Sequence, residues 1–448
     1  MAIVTQDLYD EKCRSESISQ FSKTFGLAKI LGQANIRKAK GVGVLTVLLH
    51  MLAVGFSRKS FNQLMNAGEL SGKKDVYYRF MNSIHANWSK FIRILSASVI
   101  ASLLKFSSPQ QMGVLIMDDT LNKHDRSKKI ELLTRLKDHN DNSYHRGFRC
   151  LTLGFHDGLR FVPVDFCLLS SQKEEVRINE ACQDLDKRSN GYKIRKNAIS
   201  NTYQNAYRMI NHARGLARYV LFDSWFAEPV MFQTLRTMHL HGIGMLKAHK
   251  GRRYRYKGTM YTLEALHTLV KPFLSGKTRY AALGVELKDG TPFSITFVRD
   301  KHKKRDWLAI GTTDLSLPPE KVIELYARRW NIEVFFKTVK SCLGFAKECQ
   351  SRHFDAIVCA VAIVFARHII MTWLNVGLSA PETDGQLFLR LCQEMTECTL
   401  LEAISIVLRE LKKGLVEFDS LLDLSLREFI ALLPCFFNRL EVFTSCES

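Results

Sequence analysis

The sequence predicts an α/β fold: a mixed-sheet core carrying a β-rich insertion, with helical regions on either side. Three observations point there. From Met112 to Ala248, short apolar runs alternate with segments of helical spacing. Two of those runs end in acid, at Asp118-Asp119 and at Asp223. Between 250 and 317 the alternation gives way to successive strand-like segments rich in Lys and Arg.

Residues 1–107 have a helical texture. Leu45 to Phe56 forms one helix, and Phe61–Leu70, SGKKD and Val76–Asn82 have the outline of helix, turn, helix. Lys73, Lys74, Tyr77, Tyr78 and Arg79 gather at the second of these helices, an outline many helical bundles share. Residues 108–249 open the core. GVLIMDD is a buried strand ending in acid, and Arg149–His156 and Arg160–Leu169 form a hairpin around HDGL. A helix over Ala198–Ala217, a strand at Tyr219–Asp223, a helix at Pro229–His239 and a strand at Gly242–Ala248 follow. The insertion, 250–317, contains RRYRYKG, RYAALGVEL, PFSITFVRD and WLAIGTT. Over 318–354 the chain starts a long helix at Pro318-Pro319-Glu320 that runs to about Leu343. The last region, 355–448, is helical by its apolar spacing, notably at Leu400–Leu415 and Phe418–Leu433.

Composition narrows the function. The chain has 448 residues, enough for two or three domains, and a net charge of +20, which favours a polyanionic partner. Residues 355–448 carry a net −6, so the preceding body carries +26. Lys247–Lys257 holds six basic residues and Arg299–Arg305 five. The 11 cysteines include no CxxC pair, which argues against a zinc ribbon or a thioredoxin motif. Their odd number and the start MAIVTQDLYDEK, which lacks an export pattern, predict reduced thiols in a cytoplasm. Gly41–Phe56, with His50, and Ala356–Trp373, broken by Arg367 and His368, fall short of the roughly 20 apolar residues of a membrane span. Both are expected to be core helices, with no membrane role.

Two strand-terminal acids at the carboxyl ends of an α/β sheet suit hard divalent cations such as Mg²⁺. A single Asp in that position is equally a turn former. On the long helix, Tyr326, Arg329, Glu333, Lys337 and Lys340 follow at steps of 3, 4, 4 and 3, so they form one polar stripe. Trp330, Val334, Phe335 and Val339 are expected on the opposite, core side. Taken alone, the stripe also fits a solvated face with ion pairs worth about 0.2–0.5 kcal/mol each.

The spacing Tyr-x2-Arg-x3-Glu-x6-Lys at Tyr326, Arg329, Glu333 and Lys340 resembles the YREK signature of DDE transposases from bacterial insertion sequences, in the IS-four family. RRWNIEVFFKTVK is similar to that family's catalytic helix beyond the four signature residues, and MDDT and LFDSWF fit its two Asp blocks. The resemblance spans about Val114 to Ile370. It implies a ribonuclease-H-like core, with Asp119, Asp223 and Glu333 as the catalytic and metal-binding triad. Asp118 competes for the first place. The family's Asp directly before Thr selects Asp119. The resemblance also implies Mg²⁺, with Mn²⁺ able to substitute, and DNA contacts from Tyr326, Arg329, Lys337 and Lys340. Trp307 is expected either to stack on a flipped base or to be a strand core residue.

The function so implied is a bacterial cut-and-paste transposase acting as a homodimer on double-stranded DNA, both element ends and target. Residues 1–107 would recognise the terminal inverted repeats, and 355–448 would pair the ends. Cleavage would pass through a hairpin before the 3′ ends join the target. Two alternatives are a ribonuclease-H-like nuclease that does not join DNA and a DNA-binding relative without activity.

Overall fold

The computed structural model describes residues 15–396, apart from 39, 68–69, 107–110, 139–140, 183, 250, 275–278, 300–306, 348, 350 and 378–381. The helices expected at Leu400–Leu415 and Phe418–Leu433 lie outside the described residues, as does most of the basic run after Arg299.

The N-terminal region is helical, as its spacing predicts. Helices α1 (Glu16–Phe25), α2 (Leu27–Gln33), α3 (Val44–Val54), α4 (Phe61–Asn66), α5 (Lys74–Met81) and α6 (Trp88–Leu103) follow one another. Ser15 caps α1, and Gly26 ends it in the left-handed conformation at φ 60°. On α6, Trp88, Phe91, Ile92, Leu95, Val99 and Leu103 are buried at helical spacing. Ser60 and Gln63 form a capping box at α4. Within the helix-turn-helix outline, Tyr77 is fully buried and meets His50 Nδ1 at 2.7 Å, so it belongs to the core.

The sheet has 11 strands among the described residues. They are β1 (Val114–Lys123), β2 (Thr134–Lys137), β3 (Tyr144–His156), β4 (Phe161–Leu169), β5 (Tyr219–Phe222), β6 (His241–Leu246), β7 (Tyr254–Tyr256), β8 (Thr259–Tyr261), β9 (Tyr280–Glu286), β10 (Pro292–Arg299) and β11 (Trp307–Thr312). The order is β2-β3-β1-β5-β6-β11-β10-β9-β7-β8, with β4 also on β3. β4, β3 and β1 pair antiparallel, while β5 and β6 run parallel to β1. This is the mixed sheet of a ribonuclease-H-like fold. The β3–β4 turn is closed by Asp157 Oδ1, which accepts from the N–H groups of Leu159 and Arg160 at 2.9 and 2.8 Å. Passing from β4 to the parallel β5 requires a crossover, made by α7 (Asn190–Ala198) and α8 (Thr202–His212).

Helices cover both faces, which is why all nine residues of β4 are buried and its sequence does not alternate. Neighbouring side chains on a strand point to opposite faces. Phe166 packs on Phe365 of α13 (Phe354–Leu374), while Cys167 donates to Asn205 of α8. Helix α13 is long and apolar enough to cross a membrane by composition, yet it is largely buried against the rest of the chain. Its Arg367 donates to the carbonyls of Met51, Leu52 and Leu343.

The insertion does not stand apart from the core sheet. β11 pairs antiparallel with β6, so β7–β11 extend it. β7 and β8 are joined by Lys257 and Gly258, both at positive φ (49° and 84°), as a type I′ hairpin turn requires.

Five local expectations change. Strand β1 does not end at Asp118-Asp119 but runs on to Lys123, because those residues and the ones after them keep pairing with β3. The helix expected at Ala198–Ala217 is shorter, because Asn201 caps α8 and separates it from α7. Strand β2 and helix α7 carry no clear apolar period and were not expected. The insertion contains a helix, α10 (Leu263–Val270), capped by Thr262 between α9 (Pro229–Thr237) of the core and β9. The long helix after Pro318 is two helices, α11 (Pro319–Ala327) and α12 (Trp330–Ser341). At the junction, the N–H groups of Arg328, Arg329, Asn331 and Ile332 each bond three residues back, which tightens the turn.

Candidate active site

The site forms where β1 and β5 run side by side. Met117 pairs with Phe222 in parallel register. The next residues, Asp118 and Asp223, therefore project from the same face of the sheet, where β5 and its pairing end while β1 runs on. Asp119, one residue on, projects from the other face. There its Oδ1 accepts from Arg149 Nη1 at 2.8 Å.

Helix α12 lies over the Asp118 face, anchored by Phe335 against Phe161 of β4. That packing brings Glu333 down to the acids. Arg329, at the α11–α12 junction, donates from Nη1 to Asp118 Oδ2 at 3.3 Å and from Nη2 to Glu333 Oε1 at 2.6 Å. Its guanidinium also stands 6.0 Å from the centre of the Tyr326 ring. The phenol of Tyr326 is pushed up to about 12 by burial.

Electrostatics report the same crowding. Asp118 is raised to about 7 by burial and then by the charges of Asp223 and Asp119. Asp223 is raised by burial, with Glu333 adding to it and Arg329 opposing. Its Oδ1 also accepts from the N–H groups of Trp225 and Phe226 at 3.1 and 3.3 Å, which turns the chain after β5.

The sequence-predicted residues thus divide. Asp223, Glu333, Arg329 and Tyr326 come together. Asp119 projects from the opposite face, and Asp118 is the one beside Asp223 because the pleat alternates. Lys337 is exposed further along α12. Lys340 lies toward Lys123 and Cys150, and its pKa is pulled down by burial and then by Lys123. Trp307 begins β11 and stacks on His267 at 4.3 Å and 10°, with Phe297 beside it. The expectation that Trp330 and Val334 are core residues is corrected: they are 61% and 42% exposed. Only Phe335 and Val339 of that group are buried, because α12 turns the edge carrying Trp330 away from the sheet. Beside Asp223, Trp225 of LFDSWF stacks on Tyr203 of α8, a neighbour that the spacing of these residues in the chain does not indicate.

Three carboxylates with one arginine among them, offering only oxygen donors, fit a hard divalent metal. Among the described residues, the group whose ligand atoms all lie within 4.8 Å of one another is a different one, Asp138, Asp141 and His145. Lys123 pairs with Asp138 and His145 with Asp125, each at 2.9 Å, so that group is neutralised by its own neighbours.

A ribonuclease-H-like sheet with an acid cluster where its adjacent parallel strands β1 and β5 stop pairing defines a metal-dependent nuclease type of enzyme. The chain matches the family profile of the DDE superfamily endonuclease over residues 27–254, more than half its length, and that of the transposase DDE domain over 184–370. It belongs to the DDE superfamily and is a transposase-type nuclease, with DNA as the implied substrate and a divalent metal as the implied cofactor. No protein of curated function matches it.

Proposed function

We propose that the chain is a cut-and-paste transposase of a bacterial insertion sequence, of the YREK branch of the IS-four family, working in the cytoplasm. The observation that carries this reading is the meeting of Asp118, Asp223 and Glu333 under Arg329 and Tyr326. Asp118, Asp223 and Glu333 would hold Mg²⁺ or Mn²⁺. Bound metal would supply Lewis-acid stabilisation of the attacking and leaving oxygens at phosphorus.

The chain's own residues would do the rest. Arg329 would turn from the carboxylates to a phosphate beside the cut, and Lys337 and Lys340 would hold the backbone further along α12 by charge-assisted hydrogen bonds. Tyr326 would pack against that backbone. Residues 1–107 would recognise the inverted repeats, and 355–448 would pair two element ends in a homodimer. Trp307 would stack on a base during hairpin formation, exchanging His267 for the base.

The test is cleavage of labelled DNA spanning the boundary of the gene's own element, with Mg²⁺ or EDTA. Wild type should cut at the element end only with metal, and Glu333→Gln should not cut. Insertion of a precut 3′-hydroxyl end into a plasmid separates a transposase from a nuclease that does not join DNA. Binding without cutting in both proteins would overturn the reading in favour of an inactive DNA-binding relative.

A further inference from the structure

The loop after Asp223 carries a tryptophan that the acid cluster does not explain. Trp225 is 50% exposed. An apolar ring left this open is ordinarily a mobile surface residue, and here it is not. Its N–H donates to Asp223 Oδ1 at 3.1 Å, and its carbonyl accepts from the Tyr203 hydroxyl at 3.0 Å. The two rings stack at 5.6 Å with only 16° between planes, and Phe226 meets Trp225 edge-on at 4.6 Å. From the start of the insertion, Arg252 donates to the Ala227 carbonyl at 3.2 Å and pairs with Glu228, which fastens the far side of the loop. The indole is thus backed on one side and open to solvent elsewhere, and the backbone N–H of the same residue is hydrogen-bonded to a carboxylate of the site.

Such a ring has little freedom left to lose on binding, which favours a flat partner. We propose that Trp225, backed by Tyr203, is a positioning residue that stacks on a nucleobase of the DNA strand held at the Asp118–Asp223–Glu333 site. Every base has a π-face, so the contact would be tolerant of sequence and would fix where the strand lies relative to the acids. This inference rests on the proposed nuclease site.

The test uses the full-length protein and the element-boundary DNA carrying 5-iododeoxyuridine at successive positions, irradiated in EDTA and mapped by mass spectrometry. The expected crosslink joins Trp225 to a nucleotide within a few positions of the cut. In Mg²⁺, Trp225→Ala and Trp225→Leu should slow cleavage by about tenfold or more, the scale of one lost stack. Trp225→Phe should restore most of the rate, because it keeps a π-face that Leu lacks. Crosslinks that map to other residues, or a Leu variant as active as the Phe variant at equal thermal stability, would overturn the inference. Glu333→Gln is the control: if it cuts like wild type, the site reading has failed rather than the stacking.

Discussion

The Arg329 guanidinium reaches Asp118 at 3.3 Å from 211 residues away in the chain. At its other terminal nitrogen it holds Glu333 at 2.6 Å. One cation therefore bridges two carboxylates drawn from different elements, in the position where a divalent ion would neutralise them. Arg329→Ala should bind Mn²⁺ more tightly in the absence of DNA, by roughly tenfold, equivalent to about 1.4 kcal/mol. Electron paramagnetic resonance titration of free Mn²⁺ measures this. Affinity equal to or weaker than wild type would show that the arginine does not compete with metal.

The two neighbouring acids on β1 should behave differently. Asp118→Asn should lower metal-dependent cleavage by roughly a thousandfold or more while leaving the fold intact. Asp119→Asn removes the partner of Arg149 on the opposite face and should cost stability instead, on the order of 1–3 kcal/mol. Cleavage rates and thermal melts of both variants decide it. A dead Asp119→Asn beside an active Asp118→Asn would reverse the assignment.

Asp165 should mark the acid limit of the fold. Burial alone would raise its pKa, but His212, Arg93 and Ser89 together hold it below the ordinary 3.8. A depressed carboxylate contributes stability that is complete above its unfolded pKa and is lost as the pH falls through the folded one. Wild type should therefore lose stability as the pH drops below about 4, and Asp165→Asn should lose less over that window. At neutral pH the same variant should be less stable by about 3–5 kcal/mol, since it breaks a buried ion pair. Denaturant melts across pH would show both effects.

Arg367 is 1% exposed within the apolar α13, and its donors satisfy the carbonyls of Met51, Leu52 and Leu343. Arg367→Met fills similar space but strands those acceptors, at about 1–3 kcal/mol for each one left unpaired. Gly55 leaves room for the guanidinium, and a Cβ there would overlap it. Gly55→Ala should thus destabilise in the same direction. Unchanged melting temperatures in both variants would show that the cluster contributes nothing.

Much of the core was legible because its signals are local. The turn between β3 and β4 and the strand before Asp223 are bounded by Asp and Gly and fold where those residues predict, whereas the strand begun by the apolar run before Asp118 continues to Lys123. The polar stripe on α12 was legible in its spacing but not in its surroundings. Its apolar neighbours Trp330 and Val334 had the periodicity of a core, and periodicity does not say which side of a helix meets a sheet. Strand β2 and helix α7 lacked a clean period, and pairing or packing with distant segments stabilises them, whereas α10 does bury Leu263, Leu266 and Val270 at helical spacing within a segment otherwise rich in strands.

By itself, the sequence determined the α/β class, the acid that follows β5 and the cluster of Tyr326, Arg329 and Glu333, because these depend on residues close together in the chain. Only the tertiary structure decided that Asp118 rather than Asp119 faces Asp223. That choice depends on the register of β1 against β5, whose paired residues lie about a hundred positions apart, and a slip of one residue exchanges the two faces of a strand.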